Sequence, residues 1–298
     1  MEQNTYSLET NNWINKGWEI RVTNFPPEIY FDFPTKTESV SLTGTACSLN
    51  CAHCGGHYLK GMTDIEGLEL TSQLTHELSF SSALISGGCT KDGKVPFWNR
   101  LDLLHELKHR KVRMNFHVGL IDEKEIQLLK ELADVVSFDF VGDEDTIREV
   151  YGLEHKVEDY IRVYQDLRKH VKLIPHLTLG LRGGIWSGED KALDILEDLG
   201  LDGLVFNVFI PTPGTIYSHR TPPNLEEVVR FIAKARVRFP KTPLALGCMR
   251  PKGSYRQKLD EAAVASGINR IVIPTPKARQ LVEEKRLIIK RGEECCAL

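Results

Sequence analysis

The sequence lacks several features that would place it quickly in a class of protein. It has no excess of charge of one sign, since 38 basic residues stand against 41 acidic ones and leave a formal charge of −3. This balance gives no support for binding to a phosphate backbone. No apolar run is long enough to span a bilayer. The first residues contain neither a basic segment nor an apolar segment of the kind a secretory signal needs. We therefore expect a cytoplasmic protein that binds neither nucleic acid nor a membrane.

Phosphate-binding motifs and domain linkers are also missing. No G-x-G-x-x-G or Walker pattern occurs, so nucleotide binding through a glycine-rich phosphate loop is not indicated. No linker divides the chain. The composition, 41% hydrophobic and 27% charged over 298 residues, is ordinary for a globular protein with a sizeable core. A disordered chain and a fibrous repeat are thereby excluded.

Cysteine is the residue type that carries chemical information. There are seven cysteines, and their odd number in a cytoplasmic chain argues against a disulfide framework. Cys47, Cys51 and Cys54 form C-x3-C-x2-C within TGTACSLNCAHCGGH. Three thiolates on one short loop can face a common metal or cluster. Together with His57 they would make a closed Cys3His zinc site, whereas an iron–sulfur cluster would keep one iron open to a small-molecule ligand.

The surroundings of the motif favour iron. The motif follows a strand-like alternating run, ESVSLTGTA, and precedes the glycines at 55 and 56. A structural zinc site would more often pair two C-x2-C knuckles close in sequence, but the next cysteine after Cys54 is Cys89.

Strand-like runs alternate with amphipathic stretches along most of the chain, which predicts a parallel sheet. The predicted strands are 38–46, 82–86, 112–118, 134–140, 172–180, 203–210, 243–248 and 270–273. Eight such units fit an α/β fold of the (β/α)8 TIM-like or nearly closed barrel type. The alternative is an open doubly wound sheet. Residues 1–35 would pack on the barrel as an N-terminal extension, 36–276 would form the barrel, and 277–298 would form a helix and a cysteine-containing tail. Asp122 and Asn224 are predicted helix N-caps.

Polar and thiol residues recur where the predicted strands end. Because barrel enzymes place their chemistry at the carboxyl ends of the strands, these residues are expected at one catalytic rim. They are Cys47, Cys89, His117, Asp139, His176, Thr178, Asn207 and Cys248.

The three-cysteine motif after a first strand resembles the signature of the radical S-adenosylmethionine (SAM) superfamily. The resemblance implies that Cys47, Cys51 and Cys54 hold a [4Fe-4S] cluster and that SAM chelates its open iron. His53 stands where the family usually has an aromatic residue near the adenine. Ser86, Gly87 and Gly88 resemble the element whose backbone binds the amino group of SAM; here Cys89 replaces the family's glutamate.

Further elements resemble biotin synthase relatives in the expected order. By that resemblance, Asp139 in SFDFVGDED contacts SAM or substrate, and His176 and Thr178 in HLTLGLRGG pass close to SAM. Ile210, in the FNVFIPTPGT loop, would back the adenine. In the segment after the seventh predicted strand, Arg250 and Ser254 are the residues expected to have a catalytic role.

Four cysteines remain beyond the motif, and four is the number that would ligate a second [4Fe-4S] cluster. They are Cys89, Cys248, Cys295 and Cys296, and we expect the tail that carries the last two to fold over the catalytic rim. Buried, inert thiols are the alternative.

The resemblance implies reductive cleavage of SAM to a 5′-deoxyadenosyl radical that removes hydrogen from an unactivated carbon. Within this group the chain is most similar to one half of a two-component lipoyl synthase, which inserts sulfur into an octanoyl chain on a carrier protein. That hypothesis implies three partners: a second radical SAM subunit, the octanoylated lipoyl carrier and an electron donor such as ferredoxin. The alternatives are a carbon rearrangement, metallocofactor assembly, or a non-catalytic zinc or iron–sulfur protein.

Overall fold

The structure of the protein is a computed structural model that describes residues 6–72 and 78–298. The first five residues, which belong to the predicted N-terminal extension, lie outside the described residues. The strands are β1 (Glu28–Asp32), β2 (Thr37–Ser41), β3 (Thr63–Asp64), β4 (Ser82–Ser86), β5 (Arg113–Phe116), β6 (Val135–Asp139), β7 (Leu173–Leu179), β8 (Leu204–Val208), β9 (Leu244–Leu246), β10 (Arg270–Val272) and β11 (Ile288–Gly292).

Helices follow most of the strands. They are α1 (Leu8–Asn24), α2 (Ile65–Ser72), α3 (Leu101–His109), α4 (Glu123–Leu129), α5 (Glu144–Thr146), α6 (Val157–Arg168), α7 (Glu189–Leu199), α8 (Leu225–Arg238), α9 (Ser254–Ala265) and α10 (Pro276–Glu284). Two 3₁₀ segments, His57–Gly61 and Phe97–Arg100, and one π-helical segment, Ile147–Tyr151, complete the order.

All the strands lie in one parallel sheet, in the order β11-β1-β10-β9-β8-β7-β6-β5-β4-β2-β3. Within the described residues β11 and β3 do not pair with each other, so the curled sheet stays an open barrel. The central strands β6 to β9 are buried almost throughout, as in β7, where only Thr178 is partly exposed, whereas no residue of the edge strand β11 is fully buried. Such continuous burial is typical of a parallel sheet covered on both faces.

The predicted α/β class and the nearly closed barrel are confirmed, while a fully closed ring of eight strands is not what forms. The eight predicted strands correspond to β2 and β4 to β10. The predicted caps are also present: Asp122 and Glu125 form a capping box on α4, and the Asn224 side chain accepts hydrogen bonds from two backbone N–H groups of α8.

The two ends of the chain contribute strands that the sequence analysis did not predict. Helix α1 packs against the outer helices α8 and α9, as expected of an extension. Strand β1, however, enters the sheet between β10 and β11. Its sequence, EIYFD, lies between prolines, which masked its alternation.

The last residues do not fold over the catalytic rim, which corrects our expectation. Ala297 packs against Val135, Ile174, Val205 and Ala245, which lie near the amino ends of β6 to β9. The Lys172 ammonium, just before β7, donates to the Ala297 carbonyl at 3.4 Å. The tail therefore enters the barrel from the end opposite the rim. Among the described residues no helix is long and apolar enough to cross a membrane.

Candidate active site at the carboxyl ends of the strands

The cysteine loop begins where β2 ends. A tight turn brings two of its thiols together, because the backbone N–H groups of Cys54 and Gly55 both donate to the Cys51 carbonyl, at 3.0 and 2.9 Å. Gly55 and Gly56 adopt φ values of 50° and 73°, the left-handed region that favours glycine. The chain then enters the 3₁₀ segment His57–Gly61. The turn keeps Cys51 and Cys54 at one edge of the sheet.

The exit of β4 forms a second wall against this loop. A Cβ on Gly88 would lie 1.9 Å from the Ala46 carbonyl oxygen and 2.6 Å from the Cys47 Cα, so only glycine fits. The Gly88 N–H donates to the Thr43 hydroxyl at 2.7 Å, and the Ser48 N–H donates to the Cys89 carbonyl at 2.8 Å. The two segments are therefore fixed to one another through their backbones.

Cys89 belongs with the motif thiols. Its backbone N–H donates to the Cys47 sulfur at 3.3 Å. Burial raises the pKa of Cys89 to about 12, with further contributions from Cys47, Asp139 and Cys54. Burial likewise raises the pKa of Cys51 to about 12, and the neighbouring Cys89, Cys54 and Cys47 add to the effect. Burial and the neighbouring thiols therefore disfavour the thiolate forms of Cys51 and Cys89.

This donor set fits an iron–sulfur cluster. A positive centre would reverse the mutual repulsion and favour the thiolate forms. Across residues 6–72 and 78–298, no three Cys, His, Asp or Glu side chains gather around the position of a single ion. A cluster offers separate irons to separate thiolates, which suits thiols spread along a loop. His57, the ligand that a zinc site would need, instead places its ring against Tyr58 at 5.4 Å.

A cleft of about 190 Å³ opens beside the motif thiols. All three motif cysteines line it, together with His53, Gly87, Gly88 and Cys89. The rest of the lining is largely apolar and includes Leu49, Leu59, Val118, Leu120, Phe138 and Leu153. Mostly apolar walls with a few polar groups are typical of small-molecule sites.

The loop is clamped on both sides of Ala52. The Ala52 N–H donates to the Val150 carbonyl at 2.7 Å, and the Ala52 carbonyl accepts from the Tyr217 N–H at 2.9 Å. The next residue, His53, meets Tyr151 edge to face at 5.7 Å between ring centroids. Burial lowers the pKa of His53 to about 4, partly offset by Asp139, and its Nδ1 is buried with no hydrogen-bond partner. His53 is thus a neutral ring at the cleft wall.

His117 and Asp139 also line this cleft, and His176 packs beside them. The His117 Nδ1 is 3.8 Å from an Asp139 carboxylate oxygen, and the rings of His117 and His176 are 5.4 Å apart. Burial opposes protonation of His117, but Asp139 outweighs it and the net effect raises its pKa. Burial would raise the pKa of Asp139, yet His117 and the other nearby histidines lower it overall. Burial lowers the pKa of His176 to about 4, with His117 adding to the effect.

Other predicted site residues lie around the cleft or away from it. The Ser86 carbonyl accepts from the Leu42 N–H at 2.8 Å, which holds the glycine turn. Thr178 lines a smaller cavity beside Asp143 rather than the main cleft. The Ile210 carbonyl accepts from the Thr212 hydroxyl at 3.0 Å.

Arg250 and Ser254 do not face the cleft. The Arg250 Nε donates to an Asp260 carboxylate oxygen at 2.7 Å, with both side chains fully buried. This pairing gives Arg250 a structural position, although we had expected it to be catalytic. Ser254 is an exposed first residue of α9.

The four cysteines beyond the motif do not form one group. Cys89 joins the motif thiols, whereas Cys248, Cys295 and Cys296 lie close enough for each thiol to affect the ionisation of the next. The Asn115 amide donates to the Cys295 sulfur at 3.3 Å and places it inside the barrel. A hydrogen bond from Cys296 is the main cause that lowers the pKa of Cys295 to about 6.

Two contacts were not predicted from the sequence. The Tyr58 and Thr212 hydroxyls are 2.7 Å apart and tie the cysteine loop to the exit of β8. The Ser137 hydroxyl donates to the Asn115 amide oxygen at 2.9 Å inside the barrel. Side chains alternate along a strand, so Asn115 lies on the same side of β5 as His117. This alternation was the sequence feature that could have placed Asn115 inside the barrel.

Comparison with known proteins gives one family match and two curated relatives. Residues 41–186 match the Radical SAM superfamily. A biotin synthase from Vesicomyosocius okutanii is 28% identical over 164 residues, which are 51% of this chain and 48% of that protein. A biotin synthase from Ruthia magnifica is 40% identical over 68 residues, 22% of this chain and 21% of that protein. The chain thus spans half or less of the length of these relatives.

Solved structures show the same fold. Methylornithine synthase superposes with a TM-score of 0.67 at 15% identity, covering 96% of this chain and 90% of that one. The FeFe-hydrogenase maturase HydG from Carboxydothermus hydrogenoformans gives 0.63 at 15% identity, covering 88% and 63%. Streptococcus suis SuiB bound to S-adenosylmethionine gives 0.55 at 14% identity, covering 76% and 52%.

Proposed function

We propose that this chain, whose residues 41–186 match the Radical SAM superfamily, is an enzyme of that superfamily that removes hydrogen from an unactivated carbon and prepares it for sulfur insertion. The family implies a [4Fe-4S] cluster and SAM as cofactors. The observation that carries the proposal is the close packing of the three-cysteine loop against the Gly87–Gly88–Cys89 turn, at the head of an apolar cleft.

Cys47, Cys51 and Cys54 would hold the cluster through their thiolates. When bound, the cluster supplies the electron that cleaves SAM, which is chemistry of the cofactor rather than of the protein. The protein's own part is to position the cluster and the substrate and to shield the reacting carbon from solvent. Gly88 lets the turn approach the loop, and the contacts of the Ala52 backbone fix the loop's orientation.

The lining of the cleft supports an aliphatic substrate. Leu49, Leu59, Leu120 and Leu153 offer contact to a hydrocarbon chain, and they leave few polar groups to compete for it. A dry site also protects a reactive carbon from solvent. An octanoyl chain on the lysine of a carrier protein fits this chemistry.

The interior cysteines support the step that would add sulfur. The exposed Cys248 lies near the partly buried Cys295 and Cys296, and the three thiols would hold the sulfur-bearing auxiliary cluster of this proposal. Cys89 lies instead with the motif thiols, since its backbone N–H donates to the Cys47 sulfur. The partners of the proposal are a second radical SAM subunit, an octanoylated lipoyl carrier and an electron donor such as ferredoxin.

The test is mass spectrometry of an octanoylated carrier protein incubated anaerobically with the reconstituted enzyme, SAM, a reductant and the candidate second subunit. We expect 5′-deoxyadenosine together with a sulfur-containing octanoyl product. The double variant Cys295→Ala/Cys296→Ala should still form 5′-deoxyadenosine but no sulfur product. Cleavage of SAM without sulfur incorporation by the parent would contradict sulfur insertion and direct attention to a carbon rearrangement or metallocofactor assembly.

A further inference from the structure

We propose that His117, Asp139 and His176 form a polar anchor that binds the neutral amide group of an otherwise aliphatic substrate. The proposal rests on the proposed function and adds a specificity determinant to it. The three residues come from neighbouring strands at the catalytic end of the barrel. His117 follows the end of β5, Asp139 ends β6, and His176 lies directly opposite Asp139 in the ladder of β6 and β7.

The cluster lies in a cleft whose lining is mostly apolar. His117 and Asp139 line the same cleft as the motif thiols, with Val118, Leu120 and Phe138 around them. In a cleft of this kind, a few polar groups fix the orientation of a ligand while apolar walls supply contact area. A long aliphatic chain has no polar handle except the group that links it to its carrier. The anchor would therefore set which carbons of the chain lie beside the motif thiols.

An unpaired buried atom points to a ligand here. His176 is only 5% exposed, yet its Nδ1 has no hydrogen-bond partner. Native proteins leave few buried polar atoms unpaired, and those that remain often have a functional role or bind a ligand. The centroids of the His176 and His117 rings are 5.4 Å apart, so a small group at the edges of the two rings could reach both imidazoles.

The charges select an amide over a carboxylate. Asp139 is an acceptor that a ligand N–H can satisfy, and an imidazole can donate to a carbonyl oxygen. A secondary amide offers one donor and one acceptor and carries no charge. A free fatty acid would instead bring its carboxylate close to that of Asp139, and like charges at short range are unfavourable.

The competing assignment is that Asp139 and His176 contact SAM, as the resemblance to biotin synthase relatives implied. The two assignments differ in which ligand loses affinity when the cluster is altered. Binding measurements therefore separate them without requiring turnover.

The experiment measures the binding of N-butyloctanamide, butyl octanoate and SAM to the reconstituted protein by calorimetry. The ester lacks only the N–H of the amide, so we expect the parent to bind the amide about tenfold more tightly. In Asp139→Leu and in His176→Phe we expect this preference to disappear. His155→Phe is the matched control, because His155 forms a comparable pair with Asp159 at 3.4 Å outside the cleft.

The outcomes separate the anchor from the proposed function. Equal binding of amide and ester by the parent would overturn the anchor, whatever the assay of SAM cleavage shows. Loss of SAM affinity in the variants with an unchanged amide preference would overturn it in favour of the SAM assignment. A preference that survives in His155→Phe but not in the anchor variants supports it, even if sulfur insertion is not observed. Circular dichroism of each variant confirms that it is folded.

Discussion

Replacing Gly88 with alanine is expected to prevent cluster assembly while leaving the barrel folded. The new Cβ would lie 1.9 Å from the Ala46 carbonyl oxygen, and ordinary contact begins at 3.4 Å, so the loop must retreat by about 1.5 Å. Cys47 is attached to that loop, and its Cα and Cβ would lie only 2.6 and 2.7 Å from the new atom. The displacement thus moves one of the three motif thiols directly.

The size of the effects of Gly88→Ala on stability and on rate depends on how the steric strain is relieved. Overpacking a well-filled contact costs about 1–3 kcal/mol. Here the partner is an exposed loop rather than a strand, so most of the change should appear as loop movement. The bond from the Cys89 N–H to the Cys47 sulfur, now 3.3 Å, would be stretched or broken. A misplacement of about 1 Å near reacting groups can reduce a rate about 100-fold.

The assay is iron content after anaerobic reconstitution, read together with the melting temperature. Gly61→Ala is the matched control, since a Cβ there meets no atom within 4 Å and the residue has no positive φ. We expect Gly88→Ala to lose most of the motif iron and a few degrees of melting temperature, and Gly61→Ala to retain its iron. Parental iron content and SAM cleavage in Gly88→Ala would refute the packing argument.

Three further predictions concern the scaffold. Asp122→Ala should lower the free energy of unfolding by about 1 kcal/mol in urea titrations at neutral pH. A hydrogen bond from Lys94 is the main cause that lowers the pKa of Asp122. The difference in unfolding free energy between the parent and Asp122→Ala should therefore vanish as the pH falls through the lowered pKa of Asp122. A difference that persists below that pH would contradict the charged cap. Asp260→Ala should cost about 3–5 kcal/mol because it leaves the Arg250 charge buried without a partner, and an unchanged urea midpoint would refute that. Ala297→Asp should release the tail and speed alkylation of the interior cysteines; an unchanged rate would argue against tail insertion.

Local patterns predicted most of the fold. Alternation and apolar runs located β2 and β4 to β10, because strands buried on both faces leave a clear signal in the sequence. The capping residues Asp122 and Asn224 were equally visible, since a cap depends on its own side chain and the next few backbone groups. The three-cysteine loop could be read for the same reason: its ligands are neighbours in sequence.

Long-range partnerships could not be predicted in this way. Strand β1 pairs with β10 and β11 from the other end of the chain, and its five residues contain no pattern that predicts this pairing. The resemblance to biotin synthase-like enzymes placed Arg250 near an auxiliary cluster, but its guanidinium is paired with Asp260 of α9, and local sequence does not reveal that pairing.

The cysteines show the same division between local and long-range information. Cys89 follows the glycines of the β4 exit, but its place beside the cysteine loop depends on the close packing of Gly88 against Ala46 and Cys47. Cys295 reaches Asn115 only because β11 directs the tail into the amino end of the barrel.

The most direct test of the central claim is an iron and sulfide count on anaerobically reconstituted protein. The parent is compared with a variant in which Cys47, Cys51 and Cys54 are alanine, and SAM cleavage is measured on the same samples. Two clusters predict about eight irons per chain in the parent and about four in the variant. 5′-deoxyadenosine should form only with the parent. Zinc in place of iron, or equal SAM cleavage by both proteins, would contradict the account.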